Sequence, residues 1–286
     1  MDRNLAQRIG FAAAAIPFAL AIVWYGGWPL VGFLIVVGVL GTRELYHLFQ
    51  HSGGAALETP GLLGAAVLPP AVYLTLRDPG GPAGLAWPYL AALWLCAVLT
   101  VALWRRGPGD RPLEAVAVTV FAVAYAAALP AFLVDLRHGS HETRSWAGAW
   151  LVFFPLVVTW VCDTAAMFAG RAIGGPKLAP TVSPGKTRAG SIAGVMGGLL
   201  VAPLFHSVIF PRVGVTAPLG ALVIIAGTLS VVGQIGDLAE SLFKRQAGVK
   251  DSSHLIPGHG GVLDRLDSLY FVLPAAAALY RALGIR

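Results

Sequence analysis

Five of the fourteen acidic residues, Asp237, Glu240, Asp251, Asp264 and Asp267, fall in one stretch, with Lys244, Arg245, Lys250, Arg265, His254 and His259 among them. Apolar runs flank the stretch on both sides. A charge beside lipid costs roughly 3 kcal/mol or more unless it is paired or used, so the cluster is a candidate site by default.

As a helix, 236–245 places Asp237, Glu240, Ser241 and Lys244 on one face, at i, i+3, i+4 and i+7. The plain alternative is a solvated amphipathic helix leaving the membrane. Further on, Pro257-Gly258-His259-Gly260-Gly261 leads into the last apolar run. Glycines there allow close backbone approach, and N–H groups at a helix start favour anions. Asp264 and Asp267, three apart, are expected in the first turns of one helix, on one face. Capping and an ion pair with Arg265 would explain one such acid. They do not explain two acids, a glycine-rich turn and a lysine-rich approach together. Two carboxylate clusters on converging helices suit a hard divalent cation such as magnesium, which takes oxygen ligands and completes its shell with water and phosphates. Lys244, Arg245, Lys250 and Arg265 add the positive charge that a triphosphate needs. The constellation fits phosphoryl or nucleotidyl transfer.

A second patch holds Asp163, Gly170-Arg171, Lys177 and Ser183-Pro184-Gly185-Lys186-Thr187, with Arg188 next. Its Gly-Lys-Thr triplet is not a P-loop: the glycine required five positions before Gly185 is Pro180, and no strand is expected ahead of it. Ser183, Lys186 and Thr187 on a Pro-Gly bend can still grip phosphates through side chains. Asp163 reads equally well as a structural partner of Arg171 or as part of a site.

These patches need positioning by a membrane scaffold. The chain has 286 residues, 57% hydrophobic and 12% charged, with mean hydropathy +0.73. That excludes an ordinary soluble domain and points to an all-α, polytopic membrane bundle. Nine spans are expected, near 9–25, 28–42, 61–76, 84–104, 115–134, 147–169, 191–211, 216–236 and 263–283, with the third broken at Pro69-Pro70. They group as 1–110, 111–190 with the Ser-Pro-Gly-Lys-Thr loop, and 191–286 with the charged stretch. With the N-terminus inside, fourteen Lys and Arg fall on the cytoplasmic side and six outside, and all four lysines are inside. The net charge of +6 is scattered through short loops, so nucleic acid is not expected as a partner. Cys96 and Cys162 lie in separate apolar runs, which excludes a disulfide framework.

Ser241-Leu242-Phe243-Lys244-Arg245, Lys250-Asp251 and His259-Gly260-Gly261-Val262-Leu263-Asp264-Arg265-Leu266-Asp267 together resemble the signature of the phosphatidate cytidylyltransferase family. Asp163-Thr164-Ala165-Ala166, Gly170-Arg171 and Ser183–Thr187 resemble its second motif. The chain departs at Ala189, where the family usually carries an acid. The resemblance implies condensation of CTP with phosphatidic acid to CDP-diacylglycerol and pyrophosphate. It also implies a homodimer in the inner membrane, magnesium with a potassium ion proposed beside it, and Asp237 and Asp264 as metal ligands. Lys250, Asp251 and Asp267 join these two as catalytic candidates. Ser183, Lys186, Thr187, Arg188, Ser241, Lys244, Arg245, His259, Gly260, Gly261 and Arg265 are the candidates for holding the two anionic substrates.

Three rival readings remain. A CDP-alcohol phosphotransferase would open its signature with Asp-Gly, which is absent from the sequence. A CTP-dependent enzyme acting on a polyprenol or another lipid phosphate shares the chemistry. An ion-coupled transporter would place its acids near mid-membrane, whereas these sit at the ends of spans.

Overall fold

The computed structural model describes residues 17–255 and 260–285, apart from the side chains of Ala83, Leu85 and Ala86. Among the described residues, seven helices are long and apolar enough to cross a membrane. They are α1 (Gly27–His51), α2 (Glu58–Arg77), α3 (Pro82–Arg105), α4 (Pro112–His138), α5 (Trp146–Ile173), α6 (Arg188–Arg212) and α7 (Leu219–Gln246). The chain is a multi-pass membrane protein. A π-turn at Ala124–Ala128 interrupts α4, and a turn at Leu200 and a π-turn at Phe205–Ile209 interrupt α6. Of the first expected span only 17–25 is described, and it is helical.

Three expectations need correction. Helix α2 runs unbroken through Pro69 and Pro70. Proline inside a bundle is tolerated when neighbouring helices satisfy or shield the freed carbonyl. The expected last span is two pieces, α8 (Leu263–Leu266) and α9 (Leu269–Ala282). Fourteen residues reach only about 21 Å, short of a bilayer core. Asp267 accepts the N–H of Ser268 at 2.6 Å, a local bond that competes with helix continuation. Asp264 and Asp267 therefore do not share one helix face. The third correction is a small antiparallel hairpin, β1 (Lys177–Ala179) with β2 (Ser183–Thr187), pairing Lys177 with Thr187 and Ala179 with Ser183.

The chain forms two compact units, each discontinuous in sequence: residues 1–135 with 243–265, and residues 136–242 with 266–286. In the first unit, side chains tie separate segments together through backbone groups. Trp94 donates to Pro60 at 2.8 Å, Thr119 Oγ1 accepts from the Leu57 N–H at 2.9 Å, and Tyr46 donates to Thr119. With little water to compete, such bonds are enforced by the cost of an unmade one. In the second unit, Gly190, Gly194 and Gly198 recur every fourth residue on α6; the first two let α5 approach, and Gly198 makes room for Ser230 of α7. A Cβ at Gly190 would lie 2.7 Å from the Ala166 carbonyl, and one at Gly194 3.0 Å from that of Cys162. Small residues at this spacing are how membrane helices pack where lipid supplies no hydrophobic drive. Phe154, Phe205 and Phe210 form a buried aromatic knot in the same unit.

Candidate active site

In the second unit three elements deliver charge to one place. The Pro180 turn folds β2 back on β1, with the Val182 N–H bonded to the Ala179 carbonyl at 3.3 Å. Thr187 then ends the strand and caps α6, its Oγ1 accepting the Gly190 N–H at 3.1 Å. That leaves Lys186, one residue earlier, to reach α7: its Nζ lies 2.6 Å from Asp237 Oδ2. Ser241, one turn along α7, donates to Asp237 Oδ1 at 3.4 Å, so these two of the four residues expected on one face meet. Asp163 of α5 lies in the electrostatic field of both Asp237 and Lys186. Asp163, Asp237 and Lys186 thus act on one another's charge. Lys186 and Asp237 each keep 27% of their side-chain surface open. One turn earlier on α7, Gln234 holds the helices in register. Its amide accepts from Ser191 Oγ at 2.5 Å and donates to the carbonyls of Ser191 and Ser230.

The first unit holds a second and different carboxylate centre. Lys244 Nζ meets Asp264 Oδ1 at 2.7 Å, with side chains only 10% and 5% exposed. Asp264 Oδ2 takes the Ser252 N–H, the Ser252 hydroxyl and the Gly261 N–H, each at 2.8 Å. Burial pushes this carboxyl up, but Lys244, Gly261 and Ser252 outweigh it and leave Asp264 below the ordinary carboxylate value. Gly260 has φ of +81°, and a Cβ there would lie 2.5 Å from Asp264 Oδ2. The glycine pair thus serves close approach, as expected, but to a carboxylate of the chain itself.

The other expected site residues divide as follows. Ser183 is half-buried on β2, and Arg188 is exposed. Arg245 donates to the Val249 carbonyl at 2.8 Å, at the end of α7. Lys250, Asp251 and Arg265 are exposed, and His259 lies outside the described residues. Asp267 belongs to the second unit and Asp264 to the first. Two residues were missed: Ser252 and the buried Glu44 of α1, which accepts from Ser252 and Ser253. The signal for Glu44 was present, since it lies on the buried stripe of Leu34, Val37, Gly41 and Leu48. An acid on a stripe otherwise apolar is worth singling out.

Among the described residues, no three His, Cys, Asp or Glu side chains gather to hold a metal by themselves. Magnesium does not require that, since one or two carboxylates plus water and phosphates suffice. The donors in the second unit, Asp237, Asp163 and the Ser241 hydroxyl, are all hard oxygens and fit it. Asp264 fits it less directly, because both its oxygens are engaged.

Seven helices long and apolar enough to cross a membrane, among the described residues, define a multi-pass membrane protein. The family model described as "Cytidylyltransferase family" matches residues 6–283, and the chain belongs to that family. It is 39% identical over 282 residues to the phosphatidate cytidylyltransferase of Brucella suis biovar 1 (strain 1330), covering 97% of this chain and 92% of the relative. Over 146 residues it is 43% identical to the enzyme of that name from Haemophilus influenzae, 51% of this chain and 50% of that one. Over 134 residues it is 46% identical to the one from Staphylococcus saprophyticus, 47% and 50% of the two chains.

Proposed function

We propose that this protein is a membrane nucleotidyltransferase that condenses CTP with phosphatidic acid, forming CDP-diacylglycerol and pyrophosphate for phospholipid synthesis. The observation that carries this reading is the match, along 97% of the chain, to a relative named for that reaction. The centre around Lys186 and Asp237 supplies a matching chemistry.

The lipid phosphate is itself the nucleophile, so no serine or cysteine is needed. One of its oxygens attacks the α-phosphorus of CTP in line as the bond to the β-phosphate oxygen breaks. Lys186, with Arg188 exposed nearby in sequence, offers positive charge to the phosphates. Asp237, assisted by Asp163, would hold magnesium, and Asp264 would do so only on releasing Lys244. When bound, the ion neutralises phosphate charge and stabilises the departing pyrophosphate. Lys250, Asp251 and Arg265 are exposed and available to an incoming substrate.

The bias of Lys and Arg toward one side in the topology expected from the sequence, with all four lysines there, supports a site facing the cytoplasm, where CTP is made. Placement in the inner membrane, a homodimer and a potassium ion rest on the family resemblance alone. Purified protein given phosphatidic acid and CTP labelled separately at the α- and γ-phosphates tests the reaction. The α-label is expected in the lipid and the γ-label in pyrophosphate. A γ-label transferred to lipid would mean a kinase, and no turnover would remove the enzyme reading.

A further inference from the structure

We propose that Glu44 is a positioning residue for this reaction: from α1 it holds Ser252, Ser253, Val262 and Leu263 and, through Ser252, the carboxylate of Asp264. The inference rests on the proposed activity for its kinetic consequence, and on geometry alone for the clamp.

Glu44 is 4% exposed. Its Oε1 accepts the Ser253 hydroxyl at 2.7 Å and the Val262 N–H at 2.9 Å. Its Oε2 accepts the Ser252 hydroxyl and the Leu263 N–H, both at 2.9 Å. The four donors lie 208 to 219 positions further along the chain. Val262 and Leu263 stand at the start of α8, where backbone N–H groups have no partner inside the helix. Buried, they require an acceptor, and a carboxylate is the strongest available. Gly261 follows from the same contact, since a Cβ there would lie 2.4 Å from Glu44 Oε2 and 2.2 Å from Ser252 Oγ.

Ser252 Oγ is 2.9 Å from Glu44 Oε2 and 2.8 Å from Asp264 Oδ2. Its single proton serves two carboxylates, so a shift of Glu44 is felt at Asp264, and from there at Lys244. The acid cannot be replaced by its amide. Each Glu44 oxygen receives one backbone N–H, so either orientation of a glutamine side chain turns its own NH2 against an N–H donor.

The test compares Glu44→Gln and Ser253→Ala with the wild type, as full-length protein in lipid vesicles. It reads kcat and the KM for CTP per folded molecule, together with hydrogen exchange at the Val262 and Leu263 amides. Losing bonds to a charged acceptor is expected to lower kcat about tenfold or more in Glu44→Gln, and about threefold in Ser253→Ala. Both variants are expected to exchange faster at the two amides and to keep wild-type exchange in α2. Wild-type kcat per folded molecule in either variant overturns the positioning role, even where less protein folds. Unchanged amide exchange in either variant overturns the clamp. If Glu44→Gln does not fold, Ser253→Ala decides by the same readings. A wild type that turns over no CTP would defeat the proposed function instead, while the exchange data would still decide the clamp.

Discussion

The two units each pair a lysine with an aspartate at nearly the same distance, 2.6 Å for Lys186–Asp237 and 2.7 Å for Lys244–Asp264, yet the pairs sit in opposite surroundings. Around Asp237 there is a second carboxylate acting on it, one weak hydroxyl contact and open surface. Around Asp264 both oxygens are engaged and almost no surface remains. A group that must exchange ligands needs unsaturated acceptors and access. A group that holds a loop needs neither. The same ion pair is therefore open to ligands in one unit and enclosed in the other.

The largest effect that could break this comparison is expected at Lys186. Lys186→Met removes the ammonium paired with Asp237 and should lower turnover about a hundredfold, with little change in folding, as read by CTP incorporation and gel filtration. Lys244→Met should do the opposite. It leaves Asp264 buried beside its remaining donors without a countercharge, costing about 3 kcal/mol of stability, visible as a lower unfolding temperature.

Acid sharpens the contrast further. Asp264 has a folded value below its ordinary 3.8, so its contribution to stability is full above that value and is lost as pH falls through the folded one. The bonds of Ser252 and Gly261 to Asp264 should persist at pH 5, read as slow exchange at their amides, and open only below the ordinary carboxylate range. Lys244→Met should move that opening to higher pH, because the lysine is the strongest of the groups lowering Asp264. The smallest effect is expected at Lys250, which is exposed. Lys250→Ala should raise the KM for one substrate several-fold and leave unfolding unchanged.

Much of this was legible in the sequence, for identifiable reasons. Spans are written in hydropathy, because a bilayer demands length and apolarity residue by residue. The face joining Asp237 to Ser241 follows from helical spacing alone. The end of the chain was misjudged because apolar composition continues across Asp267, while one short side-chain bond to Ser268 ends the helix. Pro69-Pro70 misled in the other direction, since what tolerates them belongs to neighbouring helices. The β-hairpin escaped notice because three-residue and five-residue strands leave almost no periodicity. Glu44 could not be placed at the site, because what makes it important lies more than two hundred residues away.

The most direct measurement is turnover and unfolding temperature taken together for Asp237→Asn and Asp264→Asn in the same vesicles. The open carboxylate predicts that Asp237→Asn loses at least about a hundredfold in kcat at unchanged unfolding temperature, beyond rescue by added magnesium. The closed one predicts that Asp264→Asn melts earlier, with the faster loop exchange that accompanies a broken clamp. Near-normal turnover in Asp237→Asn, with its loss appearing as reduced stability, would contradict the assignment of the chemistry to the open centre.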